Sequence, residues 1–342
     1  MVFNVNGEGF SFSSAETREL LLQPLVTGPN VLSDFFKVYP NVKREKTLHH
    51  LKRLEKILQA NTGCGFNASG TQNIVPRTIS VNRLKAENEQ CSDEFWDTIY
   101  EEILANGIDI NKLDATAQGQ AVLNAMTTMI RLAIMNDKYL LAFLGEYDNE
   151  GASTTPSWYG GKGTGILQKI EDAVTVGDVT LVDDGGSDYS GAAMTTDHSQ
   201  EMLRGCYENA SEALRAIDPI QKRFYVTSDV YDFNIRYHEA LGTEIAHVML
   251  REGFMAPTYR GIPIIRMPHL QAELAASDQF NITSPHRVIY TVHQNLAIAT
   301  DINDDQQSYE TWYDIDTEMH RQRAKFKMGA DYTYNELIVY SR

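Results

Sequence analysis

The chain has 342 residues, 42% of them apolar and 22% charged, a balance that supports a sizeable core in one elaborated fold or in two to three domains. Its formal net charge of −16 argues against a dedicated DNA-binding protein, because duplex affinity comes from phosphate neutralisation by Lys and Arg. No stretch approaches the roughly 18 uninterrupted apolar residues of a membrane span. The opening "MVFNVNGEGFSF" lacks the basic and apolar regions of a signal peptide, and Cys64, Cys91 and Cys206 are too few and scattered for a disulfide framework or a metal site, as in a reducing cytosol.

In chain order, Ser13 and Glu16 have the capping-box form and open a short helix over "TRELLL". Pro24, Pro29 and Pro40 then punctuate an extended arm. The segment Lys37 to Lys56 carries seven Lys/Arg against Glu45 and Glu55, a basic island that reads as a solvated or subunit-facing surface. Within it Leu48, Leu51, Leu54 and Leu58 have helical spacing, ending at "NTGCG". "GTQNIVPRTISVNRLKAEN" is strand-like, with Ile79 and Val81 alternating against polar neighbours. A long polar ribbon of this kind cannot bury itself and needs a partner.

Ser92 caps a helix with Phe95, Ile99 and Ile103 on one face. The longest helix follows, from about Thr116 to Leu144, with Gly145 as its stop. It has two apolar stripes, Val122–Met126–Met129–Ala133 and Leu123–Ile130–Ile134–Leu141, so it belongs between layers or between subunits. A Gly/Ser/Thr-rich loop, "EYDNEGASTTPSWYGGKGTG", leads to a short helix. Further helices are expected near Asp197, boxed with Gln200 and buried through Met202, Cys206, Ala213 and Ile217, and near Ser228. "YRGIPIIRMP", "RVIYTV" and "LAIAT" read as strands. Near the end, Glu310, Asp314 and Asp316 face Arg321, Arg323, Lys325 and Lys327 by period two, with Ala324, Phe326 and Met328 opposite. The spacing predicts a hairpin over Thr317–His320 pairing Asp316 with Arg321, Asp314 with Arg323 and Glu310 with Lys327. "ELIVY" closes the chain as a strand.

The chemistry-bearing patterns fail one by one. "YGGKGTGILQKI" suggests a phosphate loop, but Pro156 stands where its first glycine belongs and Gly163 where Ser or Thr belongs. His238-Glu239 lacks its second histidine, since position 242 is Gly242. "DINDDQ" has Gln306 and Trp312 in place of the glycine and bidentate glutamate of a calcium loop. Asp183-Asp184 beside two glycines reads as a turn. No catalytic, cofactor-binding or metal-ligating residue is identified, and no enzyme.

The order of features resembles the major capsid proteins of tailed bacteriophages, the α+β HK97 fold. The passages that carry the resemblance are "MNDKYLLAFLGE…GTGILQKI", "YRGIPIIRMP" and "RAKFKMGADYTYNELIVYS", together with the arm and the extended loop before them. It implies an N-terminal arm (1–42), an extended β-hairpin loop (E-loop, 43–92), a peripheral domain with a spine helix (93–145), an axial domain (146–300) and return strands to the peripheral domain (301–342). It also implies a non-enzymatic subunit that assembles with itself, as hexamers and pentamers, into an icosahedral head. That head forms in the host cytoplasm and encloses double-stranded DNA without sequence-specific binding. A portal, a decoration protein and, because no N-terminal scaffolding segment fits before residue 43, a separate scaffolding protein are the further expected partners. Some members cross-link Lys to Asn; Lys85 lies in a suitable region, but no motif carries that chemistry over. The same fold also serves encapsulin-type compartments that enclose a cargo enzyme, and a soluble enzyme with an unrecognised site is the reading from a different class. The glycines of residues 160–165 are then expected to shape a tight turn rather than to hold phosphate.

Overall fold

The computed structural model describes residues 10–11, 35–51, 74–91, 117–147, 158–182, 194–240, 257–276, 280, 282, 285–301, 309–314, 316–317 and 319–342. In chain order the elements are β1 (Phe10–Ser11), β2 (Lys37–Tyr39), β3 (Glu45–Leu51), β4 (Ile74–Ser80), β5 (Asn82–Cys91), α1 (Ala117–Leu144), α2 (Ile166–Val176), β6 (Thr180–Val182), α3 (Thr196–Glu208), α4 (Glu212–Arg215), β7 (Lys222–Thr227), α5 (Ser228–Ala240), β8 (Thr258–Tyr259), β9 (Ile262–Met267), α6 (Leu270–Ala275), β10 (Val288–Val292), β11 (Leu296–Thr300), β12 (Tyr309–Asp314), β13 (Met319–Tyr332) and β14 (Ile338–Ser341).

Two six-stranded sheets organise the chain. The first runs β1-β12-β13-β11-β2, with β5 on the other edge of β13; the second runs β6-β14-β10-β7-β9-β8. A separate two-stranded ribbon, β3 with β4, springs from the first sheet. The expected strands around Gln294-Asn295 exist, but they part company: β10 belongs to the second sheet and β11 to the first. The chain crosses back between β13 and β14, so the expected return passage is shared between the sheets. Asn295 ties the two crossings together. Its side chain donates to Thr291 Oγ1 (2.9 Å) and to the Tyr334 carbonyl (3.1 Å), and accepts from the Tyr334 amide (2.8 Å).

The long helix ends as expected at Leu144, and its last turns are buried all round: Tyr139, Leu140, Ala142, Phe143 and Leu144 pack between the layers. Of the second apolar stripe, Ile134 and Leu141 are buried. Of the first stripe, Ala133 is exposed, and Leu132 beside it is 46% exposed. Phe35 and Phe36 plug into this layer, edge-on to Phe143 at 5.9 Å and tilted to it at 4.9 Å respectively. The side chains of Val122, Leu123, Met126 and Met129 lie outside the described residues, as do the Ser13 and Ser92 helices.

Three expectations are corrected. Leu48 and Leu51 lie on a strand, not a helix, because β3 pairs along its whole length with β4, from Glu45↔Ser80 to Leu51↔Ile74. Cross-strand pairing overrides the helical spacing, and Leu54 and Leu58 lie outside the described residues. Helix α3 is capped by Thr195, whose hydroxyl accepts from the His198 amide at 3.2 Å, not by Asp197; Gln200 instead donates to Asn234. That helix also stops at Asn209. Ser211 then caps α4, which buries Leu214 and leaves Ala213 exposed.

Candidate assembly surface

The glycine loop is built against phosphate. The Glu146 carboxylate fills its concavity, accepting from the Gly161 amide and the Thr164 hydroxyl, each at 3.2 Å. An anion is already in place, and Lys162 lies over the Trp158 ring at 4.4 Å. Gly165 is required by close approach: its amide donates to the Gly145 carbonyl at 2.6 Å, and a Cβ there would stand 2.5 Å from the Phe143 carbonyl oxygen. The turn thus welds the end of α1 to the start of α2. Among the described residues, no group of three or more His, Cys, Asp and Glu is placed to hold a metal ion. Cys206 is buried, which pushes its thiol well above the usual range. His238 lies on α5, Asp301 is buried beside β13, and the rest of "DINDDQ" and Asp183-Asp184 lie outside the described residues.

The C-terminal hairpin exists in a different register from the expected one. Glu310 pairs with Arg323 and Asp314 with Met319, a shift that keeps every charge on its predicted face. Charge alternation alone cannot distinguish the two registers, because both preserve period two. The observed one brings Tyr313 against His320, ring centroids 4.9 Å apart. Arg323 Nε donates to Glu310 at 3.1 Å, and Arg321 reaches Asp314 at 2.7 Å and Glu89 on β5 at 3.5 Å. Lys85 sits at 2.6 Å from Glu87, and that hydrogen bond, with the neighbouring charges of Lys85, Arg323 and Lys325, outweighs slight desolvation and holds the Glu87 carboxyl below the usual range. One face of β12, β13 and β5 is therefore a lattice of alternating charge. Its other face, through Leu84, Ala86, Ala324 and Phe326, lines a cleft of about 480 Å³ against α1, into which Asp137, Lys162 and Gln322 also reach.

The same charged face continues along β13 as a seat for the ribbon. Lys327, Gly329 and Asp331 alternate there, two residues apart. Lys327 donates to the buried Asp301 at 2.9 Å and to the Lys43 carbonyl at 3.2 Å, where the chain approaches β3. Gly329 lets β4 cross: a Cβ would fall 1.9 Å from the Ser80 carbonyl oxygen. Asp331 accepts from Arg77 of β4 at 2.9 Å and from Lys169 of α2 at 2.9 Å. Arg77 also donates to Asn335 at 2.9 Å and stacks on the Tyr332 ring at 3.7 Å. Apolar support is small: Val42, Leu48 and Ile79 rest on Ala297 and Ala299 of β11. Beyond this base the ribbon is exposed on its outer face at Glu45, Thr47, His49, Pro76, Thr78 and Ser80.

Charge is divided sharply along the sequence. Residues 37–91 carry ten Lys and Arg against four Glu, while the rest of the chain carries twenty against forty-two Asp and Glu. The sequence showed the basic island at Lys37–Lys56; it did not show Arg77, Asp331 and Lys169 converging, because they are 254 and 162 residues apart in their pairs.

No protein-family model and no curated protein matches the sequence. Solved structures do match over almost the whole chain. A chain of the satellite phage P4 procapsid that includes the size determination (Sid) protein superposes with a TM-score of 0.59 at 11% identity, covering 98% of this chain and 93% of its own. A chain from Gordonia phage Cozz gives 0.55 at 12% identity, covering 99% and 90%. One from the capsid of Ralstonia phage GP4 gives 0.50 at 7%, covering 100% and 93%. At such identities the likeness is one of backbone architecture, and in that architecture the chain shares the fold of chains that build phage capsids.

Proposed function

We propose that the chain is a major capsid protein: a non-enzymatic subunit that assembles with itself, as hexamers and pentamers, into the icosahedral head of a tailed phage. The observation that carries this reading is the β3–β4 ribbon, which protrudes with an exposed outer face and lies in a stretch, 37–91, that is basic on a chain otherwise strongly acidic. The outer face of such a ribbon gains partners on another copy, and repeated heterologous contacts of one kind close into rings and shells. The full-length likeness to capsid chains supports the same reading.

The division this reading takes is arm 1–42, extended loop 43–92, peripheral domain 93–145, axial domain 146–300 and return strands 301–342, adjusted so that β11 goes with the first sheet and β14 with the second. The acid excess keeps packaged double-stranded DNA mobile against the wall, without sequence-specific binding. A separate scaffolding protein, a portal and a decoration protein are the further partners, and the head assembles in the host cytoplasm. Negative-stain electron microscopy of the chain expressed alone, beside its size-exclusion profile, tests the reading. Closed shells, tubes or capsomer rings are expected. A small discrete oligomer with its ribbon free in solution overturns it.

A further inference from the structure

We propose that Asp331 and Arg77, with Gly329 between them on the crossing, are positioning residues that set the angle of the β3–β4 ribbon relative to the first sheet. The inference deepens the shell reading and rests on it, since the ribbon's angle matters only if the ribbon docks on a neighbour. Three observations carry it. The ribbon's base has a small apolar footing, five buried side chains of which two are alanines, with Tyr39 and Val81 half-buried against them, so packing alone fixes its direction weakly. The contacts that do have direction are on β13. Gly329 lets the Ser80 backbone approach to a distance no other residue allows, which makes the crossing point unique. Arg77 is then held three ways, by Asp331, by Asn335 and by the face of Tyr332, which defines the ribbon's rotation about that crossing.

Asp331 does more than pair with the ribbon. One of its oxygens serves Arg77 and the other serves Lys169 on α2, while its side chain is 6% exposed. Lys169 is also fixed on the Ala330 carbonyl at 2.7 Å. The ribbon's rotation is thereby referred to α2, and through the Gly145–Gly165 weld to the end of α1. A rigid body and a protruding arm share one anion, which makes the arm's direction a property of the subunit and not of its neighbours.

Hydrogen exchange on the purified chain separates this role from general stabilisation. Arg77→Met removes the ribbon's half of the clamp while leaving Asp331 paired with Lys169. Gly329→Ala displaces the crossing without touching a charge. Both are expected to speed exchange at least tenfold in residues 45–51 and 74–80, with 222–227 and 288–292 unchanged, and Arg77→Lys is expected to recover only part of the protection. Assemblies of both variants are expected to be fewer and irregular in size. Unchanged ribbon protection in both variants overturns the proposal, as does faster exchange spread equally over the second sheet, or regular parent-sized particles from a loosened ribbon. A parent chain that never assembles counts against the shell reading alone, and the exchange comparison still decides the role of Arg77.

Discussion

The second sheet and the ribbon are held by opposite means. Strands β7, β10 and β14 are buried on both faces, with Phe224 stacked on Tyr290 at 4.4 Å between ring centroids, and their position follows from close packing. The ribbon has only a small apolar footing, and its direction rests on Arg77, Asp331, Lys169, Lys327 and Asp301. One region is a foundation held by packing, and the other is a limb whose direction is set by a few directed polar contacts. These ion pairs are largely buried, Asp331 at 6% and Asp301 at 1% exposure, so salt screens them weakly and the ribbon is expected to keep its exchange protection at 1 M salt, as β7 and β10 do.

The sharpest way to break the contrast is to damage the foundation. Phe224→Ala is expected to cost about 3–5 kcal/mol, read as a lower denaturant midpoint, because it empties a stacked site at the centre of the second sheet. Asn295→Ala comes next, at about 3 kcal/mol, since it leaves the Thr291 hydroxyl and both backbone groups of Tyr334 without their partner where the two crossings meet. A chemical melt of each variant checks both.

Lys138 tests the foundation from the other direction. Burial on α1 pushes its ammonium down to about 7 from 10.5, with the Phe326 ring 4.3 Å away. Between those two values the unfolded chain binds the proton and the folded chain does not, so stability rises with pH over that window. Lys138→Met is expected to flatten that rise, measured as melting temperature against pH. The smallest effect belongs to the charge lattice. Glu310→Gln is expected to change stability by less than about 1 kcal/mol, with the difference vanishing in high salt, because Glu310 and Arg323 are both about one third exposed.

Much of this architecture was legible in the chain. Helix α1 ends at Leu144 as its periodicity and Gly145 require, and the strands at Val288–Val292, Leu296–Thr300 and Ile262–Met267 are where the short apolar runs put them. The failures have physical causes. Leu48 and Leu51 have helical spacing, and only the partner strand 74–80 makes them a strand. The hairpin register slipped because two registers share one charge pattern, and the choice falls to the Tyr313–His320 contact. The seat was invisible for a different reason. Gly329 and Asp331 look like an ordinary strand interior until Ser80, Arg77 and Lys169 arrive from distant parts of the sequence.

The central proposal is that the β3–β4 ribbon, aimed by its own subunit, docks on a second copy of the chain. Cryo-electron microscopy of the particles formed by the purified chain tests it most directly. The account predicts a closed shell in which each ribbon keeps the angle set at Arg77 and Asp331 and lies against the next copy. A particle whose ribbons point into solvent, or turn to different angles while Arg77 and Asp331 stay paired, would contradict it.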